Sequence, residues 1–291
     1  MKDLRKLALA DTIRCGSRLR ARVGRLKAEV VPACPVCANA ATKPDPYFYV
    51  WRGRHFDVYR CTNCAHQFIH PAVTAEDQAL IYGDHYFSKE GDWVCGIWSA
   101  GYVDAEQQLR AEAREILGML PRPPGKLLDI GCAGGTFLDE ARKHGFDVCG
   151  IEMNAAMAQY ARRTYHIEVL TTRIEALASD QWLARFDIVT LLDVLEHLPE
   201  PLVTMKKIAR WVRPNGYLFI RGPLSNSRVA HLKERIRRSL RLTKCLPGYP
   251  LDANMFNKRS LNSLLRESGF RIAAWIGESP SFSNLLARRL S

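Results

Sequence analysis

From Lys126 onward the chain alternates short apolar runs with amphipathic ones. Runs of strand length fall at 126–131, 147–151, 167–171, 186–192 and 217–222, and helical spacing appears at 135–144, 154–165, 200–213 and 259–268. Alternation on this scale predicts an α/β fold, a doubly wound and mostly parallel sheet with helices on both faces. After Gly222 and Pro223 the rhythm breaks, and strand character resumes at 270–275 and in an apolar stretch at 285–287. Upstream, Leu19, Val23 and Leu26 at helical spacing predict a helical arm over 1–30. Residues 31–72 mix turn formers and aromatics, as in a short-stranded ribbon, and 73–100 read as irregular and aromatic (Tyr82, His85, Tyr86, Phe87, Trp93, Trp98). A helix is expected over 104–119, closed by the prolines at 121, 123 and 124.

With 291 residues, 47% of them hydrophobic, the chain can bury one full α/β domain and a smaller unit. The expected division is a basic arm (1–30), a ribbon (31–72), a linker and helix (73–124), and a main domain (125–291) with an insertion at 224–258. No apolar run approaches the ~18–20 residues that span a bilayer, and the first residues lack a secretory pattern, so a cytoplasmic location is expected. The net charge of +12 is concentrated. Residues 1–30 hold nine Lys/Arg against three acids and residues 228–244 seven against one, which accounts for the whole excess. Such segments suit phosphates, anionic lipid headgroups or a diphosphate-bearing substrate.

Cys34 and Cys37, then Cys61 and Cys64, form two CxxC pairs. Each tight turn can offer two thiolates to one ion, and two turns complete a tetrahedral four-sulfur site suited to structural Zn²⁺. Redox-active or unmetallated thiols are the alternative. His55, His66 and His70 lie nearby and read as surface or packing residues, and Cys15, Cys95, Cys149 and Cys245 as buried or incidental thiols.

The first strand of the main domain runs into Gly131-Cys132-Ala133-Gly134-Gly135, and about twenty residues later the second strand ends at Glu152. Ligands of doubly wound sheets sit beyond the carboxyl ends of the strands, and an acid at this second position suits ribose hydroxyls. The glycine spacing is not that of a dinucleotide turn. Asp129 would repel a pyrophosphate but suits an amino group and a sulfonium, which points to S-adenosylmethionine.

The successive motifs, Leu127–Gly135, Gly150–Asn154, Phe186–Pro201 and Arg213–Leu218, resemble those of class I S-adenosylmethionine-dependent methyltransferases over about residues 125–276. The resemblance implies a seven-stranded Rossmann-like sheet. It also implies that Asp129, Gly131 and Gly135 line the methionine end, Glu152 holds the ribose, Met153 flanks the adenine, and Ile174 or Glu175 faces its other side. Cys132 and Asp193 complete the expected cofactor contacts. The family usually has Gly where this chain has Ala133, which implies tighter contact there. The competing reading is a glycine turn that only permits close packing.

Asp193, Glu196 and His197 follow the fourth strand at i, i+3 and i+4 and would meet on a helical turn. His197 can take a proton from a hydroxyl as the methyl transfers, or can simply cap the turn before Pro199 while Glu196 orients the loop. This stretch also resembles ubiquinone-biosynthesis O-methyltransferases, whose acid-x-x-Glu-His sequence binds a divalent cation. With Asp193 in first position, that leaves room for Mg²⁺ without requiring it.

Cys34–Cys37, Tyr59–Phe68 and Tyr82–Phe87 together resemble the N-terminal part of zinc-ribbon methyltransferases of sugar, polysaccharide and antibiotic biosynthesis. That likeness implies a small-molecule, sugar-nucleotide or lipid-linked glycan acceptor. Sugar C-methyltransferases of the group carry a further C-terminal domain, not seen here, so O-methylation is implied. Relatives often have a histidine where this chain has Asp252, which implies a different acceptor or chemistry. In 228–244, Val229, Leu232, Ile236 and Leu240 form an apolar stripe flanked by arginines. It reads as a solvated helix, a lid over an anionic acceptor, or, with the arm at 1–30, a surface for anionic membrane. The rival activity is methylation of RNA, disfavoured because the main domain and ribbon are not basic. A non-enzymatic ribbon protein is the other rival, disfavoured because Asp129, Gly131 and Glu152 are all present.

Overall fold

The computed structural model describes residues 32–87, 102, 105–121, 124–224, 244–246, 250, 252–278 and 282–291. The arm at 1–30, Cys15, Cys95, Trp93, Trp98 and most of the basic segment at 228–244 lie outside the described residues.

The elements run β1 (Thr42–Trp51), β2 (Arg54–Cys61), β3 (Gln67–His70), α1 (Ala75–Ile81), α2 (Glu106–Met119), β4 (Lys126–Ile130), α3 (Thr136–Lys143), β5 (Asp147–Glu152), α4 (Ala155–Tyr165), β6 (Glu168–Thr171), β7 (Phe186–Leu192), α5 (Pro201–Trp211), β8 (Val212–Pro223), β9 (Lys244–Cys245), β10 (Asn254–Met255), α6 (Lys258–Glu267), β11 (Phe270–Glu278) and β12 (Phe282–Arg289). Short 3-10 turns stand at Asp84–Phe87, Ile174–Ala176 and Leu195–His197.

Seven strands form the main sheet in the order β6-β5-β4-β7-β8-β12-β11. β4 to β8 are parallel neighbours, and β12 runs antiparallel to β8 and β11. The chain moves outward from β4 to β6 and then returns to β7 on the other side of β4. That reversal places the functional crevice at the carboxyl ends of β4, β5 and β7. Leu127, Leu128, Val189, Leu191, Leu218 and Phe219 are fully buried, as parallel strands covered on both faces require.

The smaller sheet has the order β10-β3-β2-β1-β9. β1 and β2 form a hairpin in which Trp51 pairs with Arg54 across Arg52 and Gly53, both at positive φ, as a two-residue turn of this hand demands. The edges are supplied from far along the chain: β9 pairs parallel with β1, and β10 pairs antiparallel with β3. The sequence pattern shows no strand at either place. A second correction concerns 73–100, expected to be irregular: α1 forms there, started by a reciprocal capping box between Thr74 and Asp77. The two sheets share one core, because Cys34, Val36, Cys61, Cys64 and Phe68 belong to the same apolar cluster as Met205, Ile208, Leu261 and Leu264.

Candidate active site and cysteine centre

Beyond the carboxyl ends of β4 to β8 lies a cavity of about 600 Å³. Asp129, Gly131, Cys132, Glu152, Met153, Ile174, Glu175, Asp193, Glu196 and His197, all singled out from the sequence, border it. Gly135 does not. It caps α3 at φ 82°, and a Cβ there would meet the Ala161 methyl at 2.8 Å. Its smallness serves the packing of α3 on α4. Gly131 also has positive φ, but it borders the cavity as well, so the turn serves both packing and access. Ala133 holds φ 46°, a left-handed conformation costing an L-residue roughly 1–2 kcal/mol.

The turn is tied to the acid that follows it. Glu152, 4% exposed, accepts hydrogen bonds from the Ala133 amide (2.8 Å) and the Asn154 amide (2.7 Å). Burial raises its carboxyl above the ordinary range, against the pull of these backbone donors. Strand register sets Asp129 beside Thr190, whose hydroxyl donates to it at 2.6 Å. Burial, and to a smaller degree the Glu152 charge, push Asp129 up to about 7 despite that bond. Two carboxyls so placed can receive the cationic and hydroxyl groups of a nucleoside-like ligand. On the far wall, Lys207 donates to the carbonyls of Ile174 (3.0 Å), Glu175 (3.1 Å) and Leu177 (2.6 Å), fixing the turn after β6.

The trio after β7 borders one cavity, but not on the single helical turn its spacing suggests. The segment makes a 3-10 turn at Leu195–His197 only, and Asp193 sits outside it at φ 55° with its carboxylate toward Arg221 Nε, 3.8 Å away. Glu196 is buried, and burial followed by the charge of Asp193 keeps its carboxyl well above the ordinary range. The His197 ring lies between two carboxyls, with Nδ1 3.5 Å from Asp252 and Nε2 3.8 Å from Glu196. Among the described residues, the four ribbon cysteines form the sole group of three or more metal-ligand side chains drawn together.

Several lining residues escaped the sequence reading. Tyr49 of β1, Gln78 of α1, Tyr102, Glu112 of α2 and Arg221 of β8 all border the cavity. The Tyr102 hydroxyl donates to Thr136 Oγ1 at 2.9 Å and accepts from the Thr136 amide at 3.1 Å, closing the start of α3. Arg221 donates to Glu112 at 3.1 Å. Asp252, marked as a departure from relatives, proves to be the partner of His197.

The cysteine cluster lies apart from the cavity. All four sulfurs are within 4.8 Å of one another, with Cys34 and Cys64 3.7 Å apart and Cys37 and Cys61 3.6 Å apart. A tetrahedral ion with ~2.3 Å bonds to sulfur sets its ligands about 3.8 Å apart, so the residues fit zinc. His66 is fully buried, stacked on Phe68 and tilted against Phe256, which makes it a packing residue and not a surface one.

A seven-stranded sheet of this order, with a glycine turn and an acid facing one crevice, defines the Rossmann-like S-adenosylmethionine-dependent methyltransferases. Residues 104–274 match the family model of a methyltransferase domain, more than half of the chain, and the chain belongs to that family. It is similar to ubiquinone biosynthesis O-methyltransferases from Acinetobacter baylyi, 35% identical over 32% of this chain and 42% of that protein, and from Aliivibrio fischeri, 30% identical over 46% and 58%. The chain thus spans about half the length of these relatives. Among solved structures, magnesium protoporphyrin IX methyltransferase from Synechocystis PCC 6803, with SAH bound, shares the fold at a TM-score of 0.52 and 19% identity, over 73% of this chain and 100% of that one. Residues 104–274 are thus a methyltransferase domain. No helix among the described residues is long and apolar enough to cross a membrane.

Proposed function

We propose that this enzyme methylates a hydroxyl of a small acceptor, a carbohydrate, glycan or related natural-product intermediate. The observation that carries the small-molecule reading is the cavity itself. Its walls bear seven carboxyl side chains against two arginines, an unfavourable path for a nucleic-acid backbone. The aromatic rings of Tyr49, Tyr82, Tyr86 and Phe87 suit the face of a ring-shaped acceptor. Oxygen as the methylated atom is supported by the relatives that are O-methyltransferases.

In this reading Asp129, Gly131 and Cys132 face the methionine end of the cofactor, Glu152 the ribose, and Met153 with Ile174 and Glu175 the adenine. Bound S-adenosylmethionine supplies a methyl group on a sulfonium, open to in-line displacement. Asp193 and Arg221 border the acceptor side, and His197 receives the hydroxyl proton at Nε2 while Asp252 orients its Nδ1. Cys34, Cys37, Cys61 and Cys64 hold a structural zinc in a ribbon next to the catalytic domain. The cationic segments at 1–30 and 228–244 meet a phosphate-bearing part of the acceptor or an anionic membrane surface.

Replacing His197 with alanine is expected to lower turnover roughly 10²–10⁴-fold while leaving cofactor affinity unchanged. A loss of less than tenfold removes His197 as the base. The raised Asp129 carboxyl gives a second expectation. Below pH 7 it holds a proton in the free enzyme, and cationic ligand charge draws that proton off, so cofactor affinity should rise with pH up to about 7. Calorimetry in buffers of different ionisation enthalpy should find about one proton released per cofactor at pH 6 and almost none at pH 8. Equal counts at both values remove Asp129 from the cationic end. The same shift lowers fold stability as pH rises from about 4 to 7, because there the folded state keeps a proton the unfolded chain has lost.

The function is tested by incubating the purified enzyme with methyl-labelled cofactor and separated sugar-nucleotide, lipid-linked glycan, quinone-precursor and RNA fractions. Label in a glycan or sugar fraction supports the carbohydrate acceptor. Label confined to quinone precursors replaces it with an aromatic acceptor, and label confined to RNA overturns the small-molecule reading.

A further inference from the structure

The 3-10 turn at Leu195–His197 carries Glu196 and His197 into the cavity, yet its carbonyls are not held by the sheet from which it emerges. Gln78 Nε2 donates to the His197 carbonyl at 3.1 Å. Asn254 Nδ2 donates to the Leu198 carbonyl at 2.6 Å and, more weakly, to the Glu196 carbonyl at 3.4 Å. Three successive carbonyls are therefore taken by two side-chain amides from distant parts of the chain. Both amides are buried, Gln78 to 6% and Asn254 to 2% exposure.

Each amide is itself fixed from behind. Asn254 Oδ1 meets His66 Nε2 at 3.0 Å, and its backbone pairs with Phe68 of β3, so its orientation is set by the strand just after the second cysteine pair. Asn257 adds a bond from its side chain to the Ala65 carbonyl at 2.8 Å. Gln78 Oε1 accepts from Arg173 at 2.5 Å, which ties α1 to the loop after β6. The same helix is anchored to the hairpin by the Arg54–Asp77 pair at 2.5 Å. Buried amides with both ends engaged hold one orientation, since turning either would leave carbonyls and donors unpaired at about 1–3 kcal/mol each.

We infer that Gln78 and Asn254 are positioning residues, through which the cysteine-bearing ribbon and α1 hold the catalytic turn in place for methyl transfer. The ribbon then acts on the chemistry through the turn, apart from any contact that Tyr49 of β1 makes at the cavity wall. This rests on the methyltransferase reading for what the turn does, while the geometry stands without it.

Gln78→Glu and Asn254→Asp keep shape and remove the donors, and Gln78→Glu retains the partner of Arg173. Hydrogen exchange of the whole protein, alone and with S-adenosylhomocysteine as probe, reads the turn directly and needs no acceptor. In the double variant, exchange over 193–200 is expected to quicken at least tenfold, with β4 and its glycine turn unchanged. S-adenosylhomocysteine affinity should stay within threefold, and turnover on whichever fraction accepts label should fall tenfold or more with the cofactor KM little changed. Restoring glutamine at 78 alone should recover part of the loss. Uniformly faster exchange, or an unchanged turn, overturns the inference, as does a loss of S-adenosylhomocysteine affinity equal to the loss of turnover. If the buried carboxylates prevent folding, Gln78→Met and Asn254→Ser remove the same donors without adding charge and are held to the same outcomes.

Discussion

Glu152→Ala should weaken S-adenosylhomocysteine binding about 100-fold or more. The carboxylate is buried and already takes the Ala133 and Asn154 amides, so its removal strands two donors and also deletes the acceptor for a ribose hydroxyl pair. A hydrogen bond to a charged group contributes about 1.5–3 kcal/mol, and up to two such bonds to the ribose pair are lost, while the stranded donors cost stability in the free and bound protein alike. A net loss near 3 kcal/mol corresponds to about 100-fold in the dissociation constant. Glu152→Gln offers little rescue, because one of its two positions turns an NH₂ toward a backbone donor. Titration calorimetry decides the matter, with the melting temperature of each variant as the control for folding. Near-normal affinity in a folded Glu152→Ala protein would sink the ribose assignment.

The second large effect concerns the cysteines. A structural zinc site contributes an apparent ~10–16 kcal/mol, and the ribbon around this one has only the small cluster of Trp51, Phe56, Val58 and Ile69 for a core of its own. Cys61→Ser should therefore abolish metal binding and lower the melting temperature by well over 10 °C, since a loss of several kcal/mol moves the midpoint by a few degrees per kcal/mol. The damage should extend into the main domain, because Cys34, Cys61 and Cys64 lie in the same apolar cluster as α5 and α6. Metal analysis of the purified protein should find about one zinc per chain in the wild type and almost none in the variant. Protein that carries no zinc and melts unchanged after the substitution would return the cysteines to the status of ordinary thiols.

The main sheet was legible because buried parallel strands and amphipathic helices differ in period, and apart from the start of β8 the boundaries fell within about three residues of expectation. Strand β8 extends further back than its apolar core, since Val212 pairs with Phe186 ahead of the exposed Arg213–Asn215 stretch. Strands β9 and β10 were illegible because two-residue pairings leave no periodicity. Helix α1 had a usable signal in Thr74 and Asp77 that the aromatic residues after it obscured. At the site, the residues that announce themselves by motif were found, and those that arrive by topology were not. Gln78, Glu112 and Arg221 carry no motif, and only the fold brings them to the carboxyl ends of the strands. The trio after β7 shows the limit of spacing arguments: Asp193, at positive φ, stands outside the turn that carries Glu196 and His197, yet all three reach the same cavity.

The smaller sheet begins early in the chain, but both its edges are filled by residues 244–245 and 254–255. At ~5–20 residues per second, a ribosome needs roughly ten seconds or more to travel from β3 to β9. For that interval the nascent hairpin keeps two open strand edges, the state in which chains pair with the wrong neighbour. Early capture of a metal ion by the four cysteines would hold the hairpin in register while it waits. With zinc as the proposed occupant, the supply of metal to the growing chain would set the order of events during synthesis as well as the stability of the finished protein.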